Sequence, residues 1–370
     1  MSRTPEQRDL ADAVRSLLAK RSDSGQVRAA AESARGFDEQ LWSTLCGDIG
    51  VAGLAIPADL GGAGAGLSEL AVVFEELGRV LAPSPLFGSV LAGLAVRESG
   101  DAQACERILP AIAAGRIAAL AWSPPEGSWD PQQPACRARD SIVDGQAHYV
   151  LNGDSADVLL VAASTPDGVG IFEVDPDSPG VSRTVEPSLD LTVRLAAIRF
   201  DGARGRCLTG DGAAVLRRCR ALAAAMLAAE QVGAAARGVE LTVEHTKQRH
   251  QFGRPLGSFQ ALKHRMAEVH VAVDAARSAA EHAASAADGR ERGWERAAHV
   301  ARVSGTEALR SATAEMIQLH GGIAITWEHD AHLYFKRAHS SAQLLGQPEE
   351  HLRLLMDEDA GESAPPDRTT

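Results

Sequence analysis

The sequence predicts an α+β protein with an N-terminal helical domain over 1–118, a middle antiparallel β domain over 119–210 and a C-terminal four-helix bundle over 211–358. Three observations carry this expectation. Apolar residues recur at helical spacing between 5 and 118. Short runs rich in Val, Ile and Phe, bounded by Gly, Asp and Pro, fill 119–210. Long Ala-rich helical patterns return from 211. Helices, then strands, then longer helices imply segregated layers. At 370 residues and 45% hydrophobic content, the chain exceeds the roughly 250–300 residues at which one core stops growing, so two or three subdomains are expected.

The first domain reads as helices between Gly/Pro breaks. "EQRDLADAVRSLLAKR" and "DEQLWSTLCGDIG" come first, then "GLSELAVVFEELGRVL", in which Leu70, Val73, Phe74, Leu77, Val80 and Leu81 recur on one face. "LFGSVLAGLAVRES" and "ACERILPAIAAG" complete it. The middle domain is announced by "HYVLNG", "DVLLVAA", "VGIFEVD" and "RLAAIRFDG". Helices are then expected over 211–249, 258–288 and 291–319, with a last one after 328. Small residues, as in "RALAAAMLAAEQVGAAARG", permit close helix packing and suit an oligomer interface. The end, 359–370, is polar and reads as a disordered tail.

Net charge is -12 and the basic residues are scattered, which argues against nucleic acid. The N-terminus lacks a signal-type apolar segment and no apolar run reaches about 18 residues, so a cytoplasmic protein without a membrane partner is expected. Cys46, Cys105, Cys136, Cys207 and Cys219 form no C-x-x-C pair, and their odd number fits reduced, mostly buried thiols. His329 and His332 sit at near-helical spacing after His320, but zinc needs a further ligand and a supporting shell, so no metal is expected. No G-x-S-x-G, P-loop or strand-to-helix G-x-G-x-x-G unit occurs.

The most informative stretch is "RHQFGRPLGSFQALKH", 249–264, where a helical pattern breaks around a Gly-Pro-Gly bend rich in Arg, Gln and Phe. Alone, it reads equally as a helix-to-helix turn with solvated arginines. Together with "LAIPADLGGAG", "FEELGR", "GSWD", "LNG" and "QLHGGIAITWEHDAHLYFKRA", in this order, it resembles the acyl-CoA dehydrogenase superfamily. These are flavoproteins that introduce a double bond between the second and third carbons of an acyl thioester. The likeness covers nearly the whole chain.

The resemblance implies FAD and assigns residues to it. Arg249, Phe252 and Gln260, with Gln251 as a small polar contact, would reach across a subunit interface to the adenosine diphosphate half of a neighbour's FAD. Forked arginine donors suit a diphosphate. Gln318, Gly321 and Gly322 would supply a second contact, although "HGG" also reads as a helix C-cap. Ser123, beside Trp122, would bond the flavin's pyrimidine edge, with Ser128 near the substrate. Here the chain departs from the pattern. "SPPEGSWD" lacks the usual acidic residue and is one residue short. The lysine-tryptophan-hydroxyl segment that covers the flavin is missing, and no tryptophan follows Gly153 until Trp294.

The chemistry needs a carboxylate base within hydrogen-bond reach of the proton beside the thioester carbonyl. The usual position, before a glycine, falls at Leu345. The alternative position, on the first C-terminal helix, falls at Ala223, and the arginine normally near it is Ala224. Arg217, Arg218 and Arg220 lie a turn or two away. Displaced candidates are Glu230, about 10 Å away at 1.5 Å per residue, with Glu349, Glu350 and Glu328. Each also reads as a structural or solvated carboxylate.

Two principal expectations follow. One is an active homomeric dehydrogenase with a relocated base. The other is a base-lacking subunit that completes the FAD site of a catalytic partner, similar to the actinobacterial heteromers that shorten sterol side chains. The pattern of losses favours the second. Another flavin-dependent oxidation of the superfamily remains as a third. Expected partners are an acyl-CoA thioester, a second dehydrogenase-like subunit in a dimer or tetramer, and an electron-transfer flavoprotein as acceptor. The small side chains at Ala221, Ala223 and Ala224 fit a bulky acyl group and a closed pocket equally.

Overall fold

The computed structural model describes residues 3–362. Six helices open the chain: α1 (Pro5–Arg21), α2 (Ser24–Glu32), α3 (Glu39–Thr44), α4 (Leu67–Val80), α5 (Leu86–Ser99) and α6 (Ala102–Ala113). Their starts follow from local chemistry. Thr4 and Asp23 form capping boxes with Gln7 and Gln26, and Asp101 accepts from the Ala104 N–H, so amide donors left open by the helix are met by side chains.

Seven strands follow: β1 (Ala118–Ala121), β2 (Cys136–Arg139), β3 (Ile142–Leu151), β4 (Val158–Thr165), β5 (Gly168–Val174), β6 (Val181–Val185) and β7 (Leu195–Thr209). The path β4–β2–β3–β7–β5 returns to β4 through the β4–β5 pairing, so five strands close on themselves. β1 and β6 attach outside that ring. The expectation of a purely antiparallel domain needs correction, because β1 and β2 both pair with β4 in parallel. A run of alternating residues specifies a strand but not its partner's direction, which is settled by where the connecting chain returns.

The third region contains α7 (Gly212–Gln248), a two-stranded hairpin of β8 (His250–Gln251) and β9 (Arg254–Pro255), α8 (Gln260–Asp288), α9 (Trp294–His320), α10 (Ala331–Ser341) and α11 (Pro348–Glu362). The single last helix expected after 328 is therefore two helices, broken at Leu345 and Gly346, whose φ angles are 61° and 103°. Of the tail expected at 359–370, the residues to 362 continue α11 and the rest lie outside the described residues.

α7, 37 residues long, runs through both cores. One apolar core joins the first helices, the strands and the N-terminal half of α7. The second lies among α7, α8, α9 and α10. Glycines make α4 and α7 touch backbone to backbone. A Cβ on Gly233 would sit 1.9 Å from the Glu75 carbonyl oxygen, and one on Gly78 would sit 2.1 Å from that of Glu230. This crossing fixes where Glu230 emerges. No helix among the described residues is long and apolar enough to cross a membrane.

Candidate functional site

The two segments expected to hold the adenosine diphosphate of FAD meet at one face. α7 ends at Gln248 and α9 at His320, and the ring of His245, one turn before Arg249, stacks on His320 with centroids 4.2 Å apart. Arg249, Gln251, Phe252, Gln260, Gln318, Gly321 and Gly322 are all exposed. Phe252, at the hairpin tip with φ of 54°, is 89% exposed. It meets Phe259 edge to face at 6.1 Å, and the Arg254 guanidinium lies 4.0 Å from the Phe259 ring centroid. A Cβ on Gly321 or Gly322 would meet nothing within 4 Å, so the backbone there is open to an approaching group. These residues fit a cofactor's diphosphate and adenosine presented from outside the chain. The face has forked donors, open backbone and an aromatic surface.

The segment expected to hold the flavin ring does not fit in the same way. Trp122 is 1% exposed, packs edge to face on Trp129, and donates from Nε1 to the Asp130 carbonyl at 3.3 Å. Ser123 is fully buried, and its hydroxyl donates to the Pro124 carbonyl at 3.2 Å. Ser128 is exposed and its hydroxyl accepts the Asp130 N–H at 3.3 Å. The chain itself covers Trp122 and Ser123, so neither offers surface to a ring. The partners of their side chains, Pro124, Trp129 and Asp130, all lie in the segment that directly follows β1. The chain passes through a single 3-10 turn, Gly153–Ser155, into β4.

The position where the base is expected is equally closed. Leu345 is fully buried, and its backbone is the centre of a polar hub. Arg220 Nε donates to the Leu345 carbonyl at 2.8 Å and Arg220 Nη2 pairs with Glu350 at 2.9 Å. His351 Nε2 lies 3.2 Å from the same carbonyl, and His351 Nδ1 lies 2.9 Å from His299 Nδ1. A carbonyl only accepts, so His351 carries its proton on Nε2 and takes the His299 proton at Nδ1. Burial, then neighbouring arginines, holds His299 down at about 4 and His351 at about 2, so both are neutral at pH 7. Arg302, fully buried, donates to the carbonyls of Ser341, Leu344 and Gly346 at 2.8, 3.0 and 3.3 Å. Burial lowers it to about 9, still charged at neutral pH. Two arginines and a histidine thus hold the loop between α10 and α11 by its backbone oxygens.

The other expected positions complete this picture. Ala221, Ala223 and Ala224 are buried, at most 1% exposed, and Ala221 borders a cavity beside Arg220. Arg218 pairs with Glu98 at 2.9 Å, and Arg217 is exposed. Glu328 and Glu349 are exposed. Glu230 is bonded by Arg337 Nη1, while Arg337 Nε bonds Asp190 and Nη2 bonds the Thr192 hydroxyl at 2.6 Å. Burial raises the proton affinity of Glu230, and Arg337 opposes that rise. The cavity beside it, lined by Phe74, Leu77 and Leu227 among others, holds about 40 Å³, room for about one water. A cavity of about 230 Å³ lies next to Arg220, bordered by Arg217, His299, Asp130 and Glu295.

Reasoning from sequence did not find Asp190, Thr192, Arg302, His299 or His351. They lie far apart along the chain, and no local pattern marks them. Arg302 and His299 share one face of α9, three residues apart, which was the one available sign of a polar stripe on a buried helix. Among the described residues no group of three or more His, Cys, Asp or Glu is placed to hold a metal ion.

Residues 4–116 match the family of acyl-CoA dehydrogenase N-terminal domains and residues 210–358 that of the C-terminal domains. The chain belongs to the acyl-CoA dehydrogenase family, whose cofactor is FAD. It is 44% identical over 361 residues to acyl-CoA dehydrogenase IpdE2 of Mycobacterium tuberculosis, covering 96% of this chain and 98% of that one. It is 40% identical over 351 residues to IpdE2 of Mycolicibacterium smegmatis, covering 95% and 98%. Among solved structures it resembles a variant of the Tcur3481–Tcur3483 steroid ACAD, with a TM-score of 0.89 and 32% identity over 97% of this chain and 99% of that one. The ChsE4–ChsE5 complex from Mycobacterium tuberculosis gives a TM-score of 0.88 and 27% identity over 98% and 99%.

Proposed function

We propose that this chain is the base-lacking subunit of a heteromeric acyl-CoA dehydrogenase. It presents the diphosphate and adenosine face of an FAD site whose ring and base belong to a catalytic partner, which dehydrogenates an acyl-CoA thioester. One contrast carries the reading. The cofactor face is built and exposed, whereas the base position is a fully buried leucine whose carbonyl is already held by Arg220 and His351. FAD bound there supplies the acceptor for the hydride that leaves the acyl chain. This chain's Arg249 neutralises the diphosphate, Gln251 and Gln260 add hydrogen bonds, and Gly321–Gly322 allow close backbone approach. Likeness to the paired Tcur3481–Tcur3483 and ChsE4–ChsE5 proteins supports the heteromer, and the former, a steroid ACAD, supports a steroid thioester as the partner's substrate.

Co-expression with the neighbouring dehydrogenase-like gene, followed by flavin counting, tests this. The expected result is one FAD for every two chains, with the chain alone colourless and inactive. A yellow isolated chain with one FAD per chain that reduces an acceptor with an acyl-CoA overturns it.

The second reading, a relocated base, is favoured only by the raised proton affinity of Glu230. Its bond to Arg337 and the small cavity beside it weigh against that role.

A further inference from the structure

Three imidazoles stand in a row beside the cofactor face. His245 stacks on His320 at 4.2 Å and 27°, and His320 meets His329 at 4.5 Å and 47°. The row joins the two halves of that face. His245 accepts the Arg249 N–H on its backbone carbonyl at 2.8 Å, and His320 directly precedes Gly321. His320 is 7% exposed. Its Nδ1 donates to the Met316 carbonyl at 2.8 Å, so its Nε2 is a bare acceptor, and that atom is buried without a partner. No described carboxylate forms an ion pair with His245, His320 or His329. The charged neighbours of His245 are His329 and Arg249, just past the end of α7, and those of His320 are His245 and His329; farther along, Lys336, Arg28 on α2 and Asp330 surround His332 on α10, and Asp330 pairs with Arg28 at 2.6 Å. A buried acceptor without a partner is costly to keep unless a proton or a donor reaches it.

We propose that the His245–His320 stack is a proton-accepting part of the cofactor face, so that a diphosphate seated between Arg249 and Gly321–Gly322 draws one proton from solvent onto the pair. This rests on the cofactor-face reading above. Burial holds His320 at about 4 and pushes His245 below its usual value, so both rings are neutral before the ligand arrives. Two phosphate charges reverse that balance, and the added proton offsets part of the ligand's charge. A group neutral in the free face and charged in the complex makes binding tighter as pH falls, by up to about tenfold per pH unit for one proton. The stack also links the two helix ends, so a charge on either ring lies close to both halves of the face.

Titration calorimetry of the full chain with ADP, in buffers of different ionisation enthalpy between pH 6 and 8, reads the net proton count; the terminal phosphate of ADP titrates near pH 6 and releases protons on binding, so uptake is counted relative to the histidine variants, which share that release. The expected result is uptake of close to one proton per ADP, with affinity falling several-fold from pH 6.5 to 7.5. His320→Gln and His245→Gln, checked for intact folding by thermal melting, are expected to abolish uptake and flatten the pH profile. ADP binding without proton uptake, or uptake unchanged in both variants, overturns the inference alone. ADP that fails to bind at millimolar concentration overturns the cofactor-face reading and the inference with it.

Discussion

Arg249 is exposed just past the end of α7, and among the described residues its guanidinium makes no hydrogen bond or ion pair, as expected of a residue that serves a ligand or a neighbour. Arg249→Ala is therefore expected to weaken FAD retention in the assembly by about 10- to 100-fold, the scale of a charge-assisted contact, while the melting temperature of the isolated chain stays unchanged. Flavin absorbance per assembly after gel filtration measures it. Glu230 is the opposite case. It shares Arg337 with Asp190, so Glu230→Gln is expected to cost about 1–3 kcal/mol of stability through the weakened buried pair. The turnover of the assembly should stay within a few-fold, as a steady-state assay with an acyl-CoA will show. Loss of turnover by several orders of magnitude would instead make Glu230 the base.

At the scale of elements, the α9–α11 contact carries a pH dependence. His299 and His351 are neutral in the fold, held at about 4 and about 2, while the unfolded chain protonates them below about 6.5. Between those values the unfolded state binds more protons, so stability rises with pH and is lost as pH falls below 6.5. By pH 5 the loss is about 2 kcal/mol per ring, seen as a lower denaturant midpoint than at pH 7. His351→Gln retains a donor for the Leu345 carbonyl and removes one titrating ring, so its midpoint is expected to shift less between the two pH values. The same elements show how far local pattern reached. α7, α8 and α9 were legible from periodicity and small-residue runs. The break at Leu345 and Gly346 was not, because a positive φ at a leucine is imposed by Arg220, Arg302 and His351 from elsewhere in the fold.

For the whole molecule, the exposed hairpin and the open Gly321–Gly322 turn are the surface that the proposed assembly would use. Phe252 touches Phe259 and little else in its own chain, yet an aromatic side chain 89% exposed is a candidate interface anchor. Phe252→Asp is expected to leave the isolated fold intact and to weaken association by about 30-fold or more, read as a smaller mass by light scattering. An unchanged assembly mass at low concentration would remove the hairpin from the interface.

What the sequence determined by itself was the order of helical and strand regions, the membership of a family, and the positions of Arg249, Phe252, Gln318, Gly321 and Leu345. Periodicity and contiguous motifs are local properties of a chain, and these features are local. It also showed that a leucine and an alanine stand where bases are usual. Tertiary structure alone decided that two sheet pairings are parallel, that Trp122 and Ser123 are sealed inside, that Ala221, Ala223 and Ala224 are buried, and that Arg337 takes Glu230. Each of these depends on groups brought together across tens to hundreds of residues, as when Arg337 on α10 meets Asp190 ahead of β7. The burial that follows sets the charges and the room at the site, and neither is written in any one stretch of sequence.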